Sequence, residues 1–222
     1  MLDCLTSAEL AAIAVEPYEA RGILHSEMAL ILHACRRLGV EVVIEAGRAR
    51  GQSTYLLSKY LPDAHIISIE MRGGPDQAFG EQRCAGLPNV TLCTGDGGVL
   101  VPRLVEEVAP HPTAILCDGP PTHVAIPVLK QALQAPHVRA GFLHDLRKLD
   151  HGKPSPHRAA ALEAFPWAIF SDAQDLVASL AWIDERIIAT GGPAGAMHAK
   201  EYGSYGPTVG VFINPSVSNG NK

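Results

Sequence analysis

Residues 41–54, EVVIEAGRARGQST, constrain this chain more than any other stretch. Val42, Val43 and Ile44 form a short apolar run that suits a buried strand. Glu45 ends the run, and Gly47 and Gly51 bracket a tight loop. Gln52, Ser53 and Thr54 open a helix, because the following YLLSKYL carries apolar residues at helical spacing. Strand, glycine loop and helix start in succession make a binding corner of nucleotide size. Glycine lets the backbone approach a ligand closely, and the first helical turn presents N–H groups with no intrahelical acceptor.

The alternation continues. Strands are expected over 65–70 (HIISIE), 89–96 (NVTLCTGD), 113–120 (TAILCDGP) and 138–145 (VRAGFLHD), with helices over 52–60 and 98–108, across PTHVAIPVLKQAL, and within 71–86 after Gly73-Gly74-Pro75. Such alternation predicts a mostly parallel sheet covered on both faces. Four of the strands finish in an acid: Glu45, Glu70, Asp118 and Asp145. In an open parallel sheet the C-terminal strand ends share one ligand crevice. Upstream, residues 6–38 read as helical, with TSAE as a capping box and Gly39 as the C-cap. Downstream, 146–158 (LRKLDHGKPSPHR) is a basic loop of the kind that forms substrate lids, followed by a helix near 156–164. FPWAIFSD (165–172) suits a short extra strand, LVASLAWI (176–183) a sixth strand and TVGVFIN (208–214) a seventh. The Gly- and Ala-rich stretch between the last two lacks a period. The expected organisation is an N-terminal helical segment (1–40), one domain (41–214) and a flexible tail (215–222).

A dinucleotide site needs G-x-G-x-x-G, and the second glycine is missing here. The pattern E-x-G-x-x-x-G-x-S-T, followed about twenty residues later by a strand ending in an acid, resembles motif I of the class I S-adenosylmethionine (SAM) methyltransferases. Small O-methyltransferases and the sugar- and antibiotic-tailoring group with such loops are the nearest in character. The resemblance covers 41–145 well and 176–214 loosely. It implies a Rossmann-like three-layer α/β sandwich, a mostly parallel seven-stranded sheet with an antiparallel last strand and N-terminal helices. It also implies SAM as cofactor, held by Glu45, Gly47, Arg48, Gly51, Ser53, Glu70, Gly95, Asp96 and Asp118. Glu70 would meet the ribose hydroxyls and Asp96 the adenine amino group, although a turn aspartate capping the next helix is an equal reading of Asp96.

Methyl transfer from a sulfonium asks the protein to align the acceptor and remove its proton. Two routes are open. Asp118 and Asp145, on adjacent strand ends, stand where catechol-type relatives hold Mg²⁺, although the second carboxylate and the Asp-Asn pair of those relatives are missing. Alternatively His144 or His123 serves as base, with Asp145 orienting it; a buried, backbone-bonded strand-end histidine is an equal reading of His144. His151 and His157 fall on the lid. The expected function is O-methylation of a small-molecule acceptor. A methyltransferase-like binding protein without activity is the alternative, and a nicotinamide oxidoreductase a more distant one.

Composition sets the remaining bounds. A net charge of -5 argues against nucleic acid as the main partner. The clusters Arg48–Arg50 and Arg147–Lys148 are short enough to be solvated loop. Aromatics make up 5% of the chain, which disfavours an aromatic-stacking acceptor pocket. Five scattered cysteines without a C-x-x-C pair predict reduced thiols and a cytoplasmic setting. Neither a signal-like start nor a membrane span is expected. The N-terminal helices either pack on the sheet or cover the site and form a homodimer interface.

Overall fold

The computed structural model describes residues 3–19, 22–71, 73–150, 153–189 and 208–218. Helices α1 (Ser7–Ala14) and α2 (His25–Arg37) precede strand β1 (Val42–Ala46). Then follow α3 (Gln52–Tyr60), β2 (His65–Glu70), α4 (Pro75–Cys84), β3 (Val90–Thr94), α5 (Gly97–Glu107), β4 (Thr113–Cys117), α6 (Thr122–Ala132) and β5 (Val138–Leu143). A short hairpin, β6 (Leu149–Asp150) and β7 (Lys153–Pro154), leads to α7 (Pro156–Ala164) and β8 (Ile169–Phe170). The chain continues through α8 (Gln174–Leu180), a 3₁₀ turn (Ala181–Asp184) and α9 (Glu185–Ala189), and ends on β9 (Gly210–Ile213) and α10 (Pro215–Ser218).

The main sheet has seven strands in the order β3-β2-β1-β4-β5-β9-β8. β1 pairs in parallel with both β2 and β4, so the strand order reverses beside it. β9 runs antiparallel to both β5 and β8. The inserted antiparallel strand sets this sheet apart from the six-stranded dinucleotide order. Side chains alternate between two faces, as the strand period requires. Val43, Leu116 and Phe142 join a core with α2 and α3, whereas Ile44, Ile115 and Cys117 join a second core with α5 and α6.

Two expectations about the elements fail. The helix expected over 6–38 is broken: α1 ends at Ala14 and α2 begins at His25. Pro17 explains the break, because it lacks an N–H and disfavours helical geometry at Glu16. The capping box at Thr6 and Glu9 forms, and Gly39 (φ 60) closes α2, with Val40 N–H donating to the Cys35 carbonyl at 2.9 Å. The strand expected over 176–183 is helical instead. Its buried positions are Leu176, Leu180 and Ile183, a helical spacing that the apolar run conceals. β8, in the FPWAIFSD segment, takes the sixth strand's place in the sheet. In the expected tail, Pro215–Ser218 is helical, anchored by Asn214, whose amide donates to the carbonyls of Leu133 (2.9 Å) and Val138 (2.7 Å). His151 and most of the Gly- and Ala-rich stretch lie outside the described residues. Among the described residues no helix is long and apolar enough to cross a membrane.

Candidate active site

The ends of β1, β2, β4 and β5 meet where the strand order reverses. The loop after β1 is fixed from three sides. Gly47 (φ 108) lies against the β4 end, where an added Cβ would stand 2.6 Å from the Asp118 carbonyl carbon. Its N–H and that of Arg48 both donate to the Ile69 carbonyl, at 3.0 and 3.2 Å. Ala49 has a positive φ of 42, and its N–H donates to Glu70 Oε2 at 2.7 Å. Gly51 (φ 74) packs on Gly80 and Cys84 of α4. The loop's own N–H groups at 47, 48, 49 and 51 are thus consumed within the protein. The first turn of α3 retains the unpaired donors expected of a helix start.

Glu45 stands behind this loop. It is fully buried and accepts hydrogen bonds from the hydroxyls of Ser53, Thr54 and Ser68, the last at 2.5 Å. Burial pushes its carboxyl above the usual range, opposed by the three hydroxyls. Glu45 therefore fixes the start of α3 from inside instead of touching a ligand. Arg48 is also buried, contrary to a solvated loop. Its Nη1 donates to the Ser68 carbonyl at 2.7 Å, and its Nη2 lies 3.8 Å from Glu81. Arg50 is tied down by Glu19 (2.8 Å) and Asp76 (3.2 Å) and lies over the Phe79 ring. The segment between α1 and α2 straps this corner: Glu19 N–H donates to Gln52 Oε1 at 2.5 Å, and Gln52 Nε2 donates to the Ile23 carbonyl at 2.8 Å.

Two hollows open at the sheet edge. The first lies between strap and loop and is lined by Glu19, Arg48, Ala49, Gln52, Ser53 and Asp118, among others. The second, of ≈ 350 Å³, is lined by Asp118, His123, His144, Asp145, Arg147 and His157, among others. Asp118 borders both. Of the expected cofactor residues, Arg48, Ser53 and Asp118 line the first hollow, with Gly47, Gly51 and Glu45 supporting it. Glu70 and the Gly95–Asp96 turn close the neighbouring strand ends outside it. Glu70 is bonded to the N–H groups of Ala49 and Met71, and Asp96 caps α5 by accepting from Gly98 N–H at 2.8 Å.

His144, the expected base, is held between two carboxylates. Its Nδ1 lies 2.7 Å from Asp118 Oδ1 and its Nε2 3.3 Å from Glu27 Oε2. Burial alone would lower its pKa, but the Asp118 and Glu27 carboxylates outweigh burial and hold it well above 6.5. Both ring nitrogens thus face carboxylates, and burial in turn raises the pKa of Asp118 and of Glu27. Glu27 was not singled out in the sequence. It lies in an α2 whose first turns are buried, and only its place at the third helical position, accepting from Leu24 N–H at 3.1 Å, had a local signal. His123, in the first turn of α6, is exposed and, among the described residues, makes no hydrogen bond. Asp145 has a positive φ of 60 and a side chain 65% exposed.

The expected metal pair does converge: Asp118, His144 and Asp145 offer ligand atoms within 4.8 Å of one another. His144 Nδ1 lies 2.7 Å from Asp118 and 3.7 Å from Asp145. Mg²⁺ is commonly held by one or two carboxylates with water completing its shell, so Asp118 and Asp145 are the residues that would hold it.

No protein-family model and no curated protein matches the sequence. Solved structures do match in fold. The O-methyltransferase TomG from Streptomyces achromogenes, involved in tomaymycin synthesis and solved with SAM, superposes with a TM-score of 0.54 at 13% identity, over 96% of this chain and 98% of that one. An O-methyltransferase from Bacillus cereus, in complex with S-adenosylhomocysteine (SAH), gives 0.53 at 11% identity, over 96% and 100%. The methyltransferase domain of bacterial CtHen1 gives 0.51 at 11% identity, over 86% and 100%. With the inserted antiparallel strand and the crevice at the reversal of strand order, these likenesses show that the chain has the Rossmann-like fold of the class I SAM-dependent methyltransferases.

Proposed function

We propose that this protein transfers a methyl group from SAM to a hydroxyl of a small molecule. The observation that carries the proposal is that Asp118 borders both hollows. A cofactor bound in the hollow beside Ser53 and Arg48 would direct its sulfonium past Asp118 toward an acceptor in the cleft beyond. The sulfonium is already a good leaving group, so the protein's work is alignment and proton removal. Asp118, held by His144, supplies negative charge at the junction where the sulfonium's positive charge arrives. His123 takes the acceptor proton, because its imidazole lines the cleft without a competing partner among the described residues, and Asp145, which lines the same cleft, orients the hydroxyl. Neither role passes through a metal.

Calorimetric titration with SAH tests the first half of this reading, and labelled-SAM turnover against a hydroxyl acceptor panel tests the second. Binding of SAH that is lost in a Ser53 and Asp118 double variant supports it. No SAH binding at high micromolar concentration refutes it. His123→Ala is expected to lower kcat by about a hundredfold or more, as loss of a general base does, while leaving SAH affinity intact.

A further inference from the structure

Residues 3–5 fold back onto the last turns of α2. Arg36 holds them there: its Nη1 donates to the Cys4 carbonyl at 3.1 Å and to Glu9 at 2.7 Å, and its Nη2 to the Tyr60 carbonyl at 2.8 Å. Leu5 joins the core that α2 helps to form. These anchors set Asp3 and Cys4 against His33, which shares a helix face with Arg37 one turn later. Asp3 Oδ1 lies 3.8 Å from Cys4 Sγ and 3.9 Å from His33 Nε2. One sulfur, one nitrogen and one oxygen from the three residues all fall within 4.8 Å of one another.

His33 has no other explanation in the packing. Its side chain is only 10% exposed, Nδ1 is buried without a partner, and Nε2 is too far from Asp3 for a hydrogen bond. Burial lowers its pKa below 6.5, helped by Arg37 and opposed by Asp3, so near pH 7 the ring is neutral and keeps the lone pair that a metal ligand needs. A thiol, an imidazole and a carboxylate are the mixed set that suits zinc, whereas Mg²⁺ and Ca²⁺ take oxygen alone. Zinc bonds of about 2.0–2.3 Å place tetrahedral ligand atoms about 3.3–3.6 Å apart, so the present spacings contract modestly on closing round the ion. Arg37 is compatible with this. Its Nη1 lies 3.3 Å from Asp3 Oδ2, which leaves Oδ1 to ligate, and with side chains 63% and 66% exposed the pair holds weakly.

We infer that Asp3, Cys4 and His33 bind a zinc ion, with water as the fourth ligand, which clips the segment before α1 to α2. The Cys4 thiol gives its proton to solvent as the sulfur–zinc bond forms, and nothing is oxidised or reduced. Neither hollow is lined by these three residues, so the inference is independent of the methyl-transfer reading.

The test uses tag-free protein dialysed free of metal. It is titrated with Zn²⁺ against a chromophoric chelator and, separately, with Co²⁺ as an optical probe. At least one Zn²⁺ per chain should bind and raise the thermal midpoint, and the Co²⁺ form should show thiolate-to-metal charge-transfer absorption. Cys4→Ser should abolish that absorption. Cys4→Ser, Asp3→Asn and His33→Gln should each weaken zinc binding at this site about tenfold or more, since losing even a group that supports a ligand costs about 10–100-fold. Asp145→Asn, which alters the Asp118, His144 and Asp145 cluster, should leave the absorption intact. Asp3 is exposed and Cys4 partly so, and their variants should keep the metal-free thermal midpoint whether or not His33→Gln folds. No zinc binding, no charge-transfer absorption, or zinc affinity undiminished by Cys4→Ser would each overturn the inference.

Discussion

Glu27 Oε2 stands 3.3 Å from His144 Nε2 although 117 residues separate the two in sequence. The contact joins the second helix of the N-terminal segment to the end of β5, and so makes that segment part of the site's foundation. Glu27 also accepts from Ser171 Oγ at 3.2 Å, at the end of β8. Removing it leaves a buried imidazolium, a hydroxyl and the Leu24 N–H short of an acceptor. Glu27→Ala should therefore lower unfolding free energy by about 3–5 kcal/mol, the usual cost of breaking a buried ion pair. Glu27→Gln keeps the shape and removes the charge, so it should destabilise less and lower the His144 pKa. Urea midpoints and the His144 ring resonances across a pH series check both. A Glu27→Ala midpoint equal to that of the unmodified protein would show that the pair contributes nothing.

Glu45 provides a second buried anchor. The Ser53, Thr54 and Ser68 hydroxyls converge on its carboxylate from α3 and β2, and all four residues are buried. Glu45→Ala strands three hydroxyls and opens space beneath the loop. A loss of about 2–4 kcal/mol is expected, since each stranded buried group costs about 1–3 kcal/mol and some will find one another, as Thr54 and Ser68 already do at 3.0 Å. SAH affinity should fall together with stability, because Ser53 lines the cofactor hollow. Thermal denaturation with and without SAH separates the two effects.

The loop geometry predicts a sharp contrast between two glycines. At Gly47 the φ of 108 strains any side chain, and an added Cβ meets the Gly119 and Asp118 backbone, which cannot move aside without opening β1 from β4. At Gly73 nothing lies within 4 Å of an added Cβ. Gly47→Ala should weaken SAH binding by about tenfold or more, since strain of this kind costs about 1–3 kcal/mol. Gly73→Ala should leave affinity unchanged. Equal affinity in both variants would mean that the loop does not shape the cofactor hollow.

Local signals and long-range ones divided the sequence cleanly. The bounds of α3 and β2 were readable because Gly51, the apolar runs and the Pro62-Asp63 turn act within a few residues. Asp96 was readable as a cap for the same reason. The helix at Gln174–Leu180 was misread because LVASLAWI is apolar enough to satisfy a strand, and the sheet beneath it decides which side chains are buried. His144 was placed correctly at the β5 end, but its chemistry depends on Glu27, whose approach no local pattern announces. Asp118 and Asp145 do converge at one edge, as the strand ends suggested, and the His144 ring beside both is the part that their spacing did not show.

Two buried histidines should tilt stability in opposite directions with pH. His25 is fully buried, its ring meets Tyr18 edge-on at 5.7 Å, and neither ring nitrogen has a hydrogen-bond partner among the described residues. Burial lowers its pKa below 6.5, only partly opposed by Asp184 and Glu16. Below pH 6.5 the unfolded chain takes up this proton more readily than the folded one, so His25 makes the fold lose stability as pH falls toward its depressed pKa. His144 has the opposite sign. Its raised pKa makes the folded state bind the proton more tightly, so its contribution is complete below pH 6.5 and disappears as pH rises through the folded value. In urea titrations across this range, His25→Phe, which keeps the ring against Tyr18, should flatten the decline on the acid side and leave the alkaline side unchanged. Glu27→Gln should flatten the alkaline side by lowering the His144 pKa. Parallel stability curves for all three proteins would show that neither ring's burial governs its protonation.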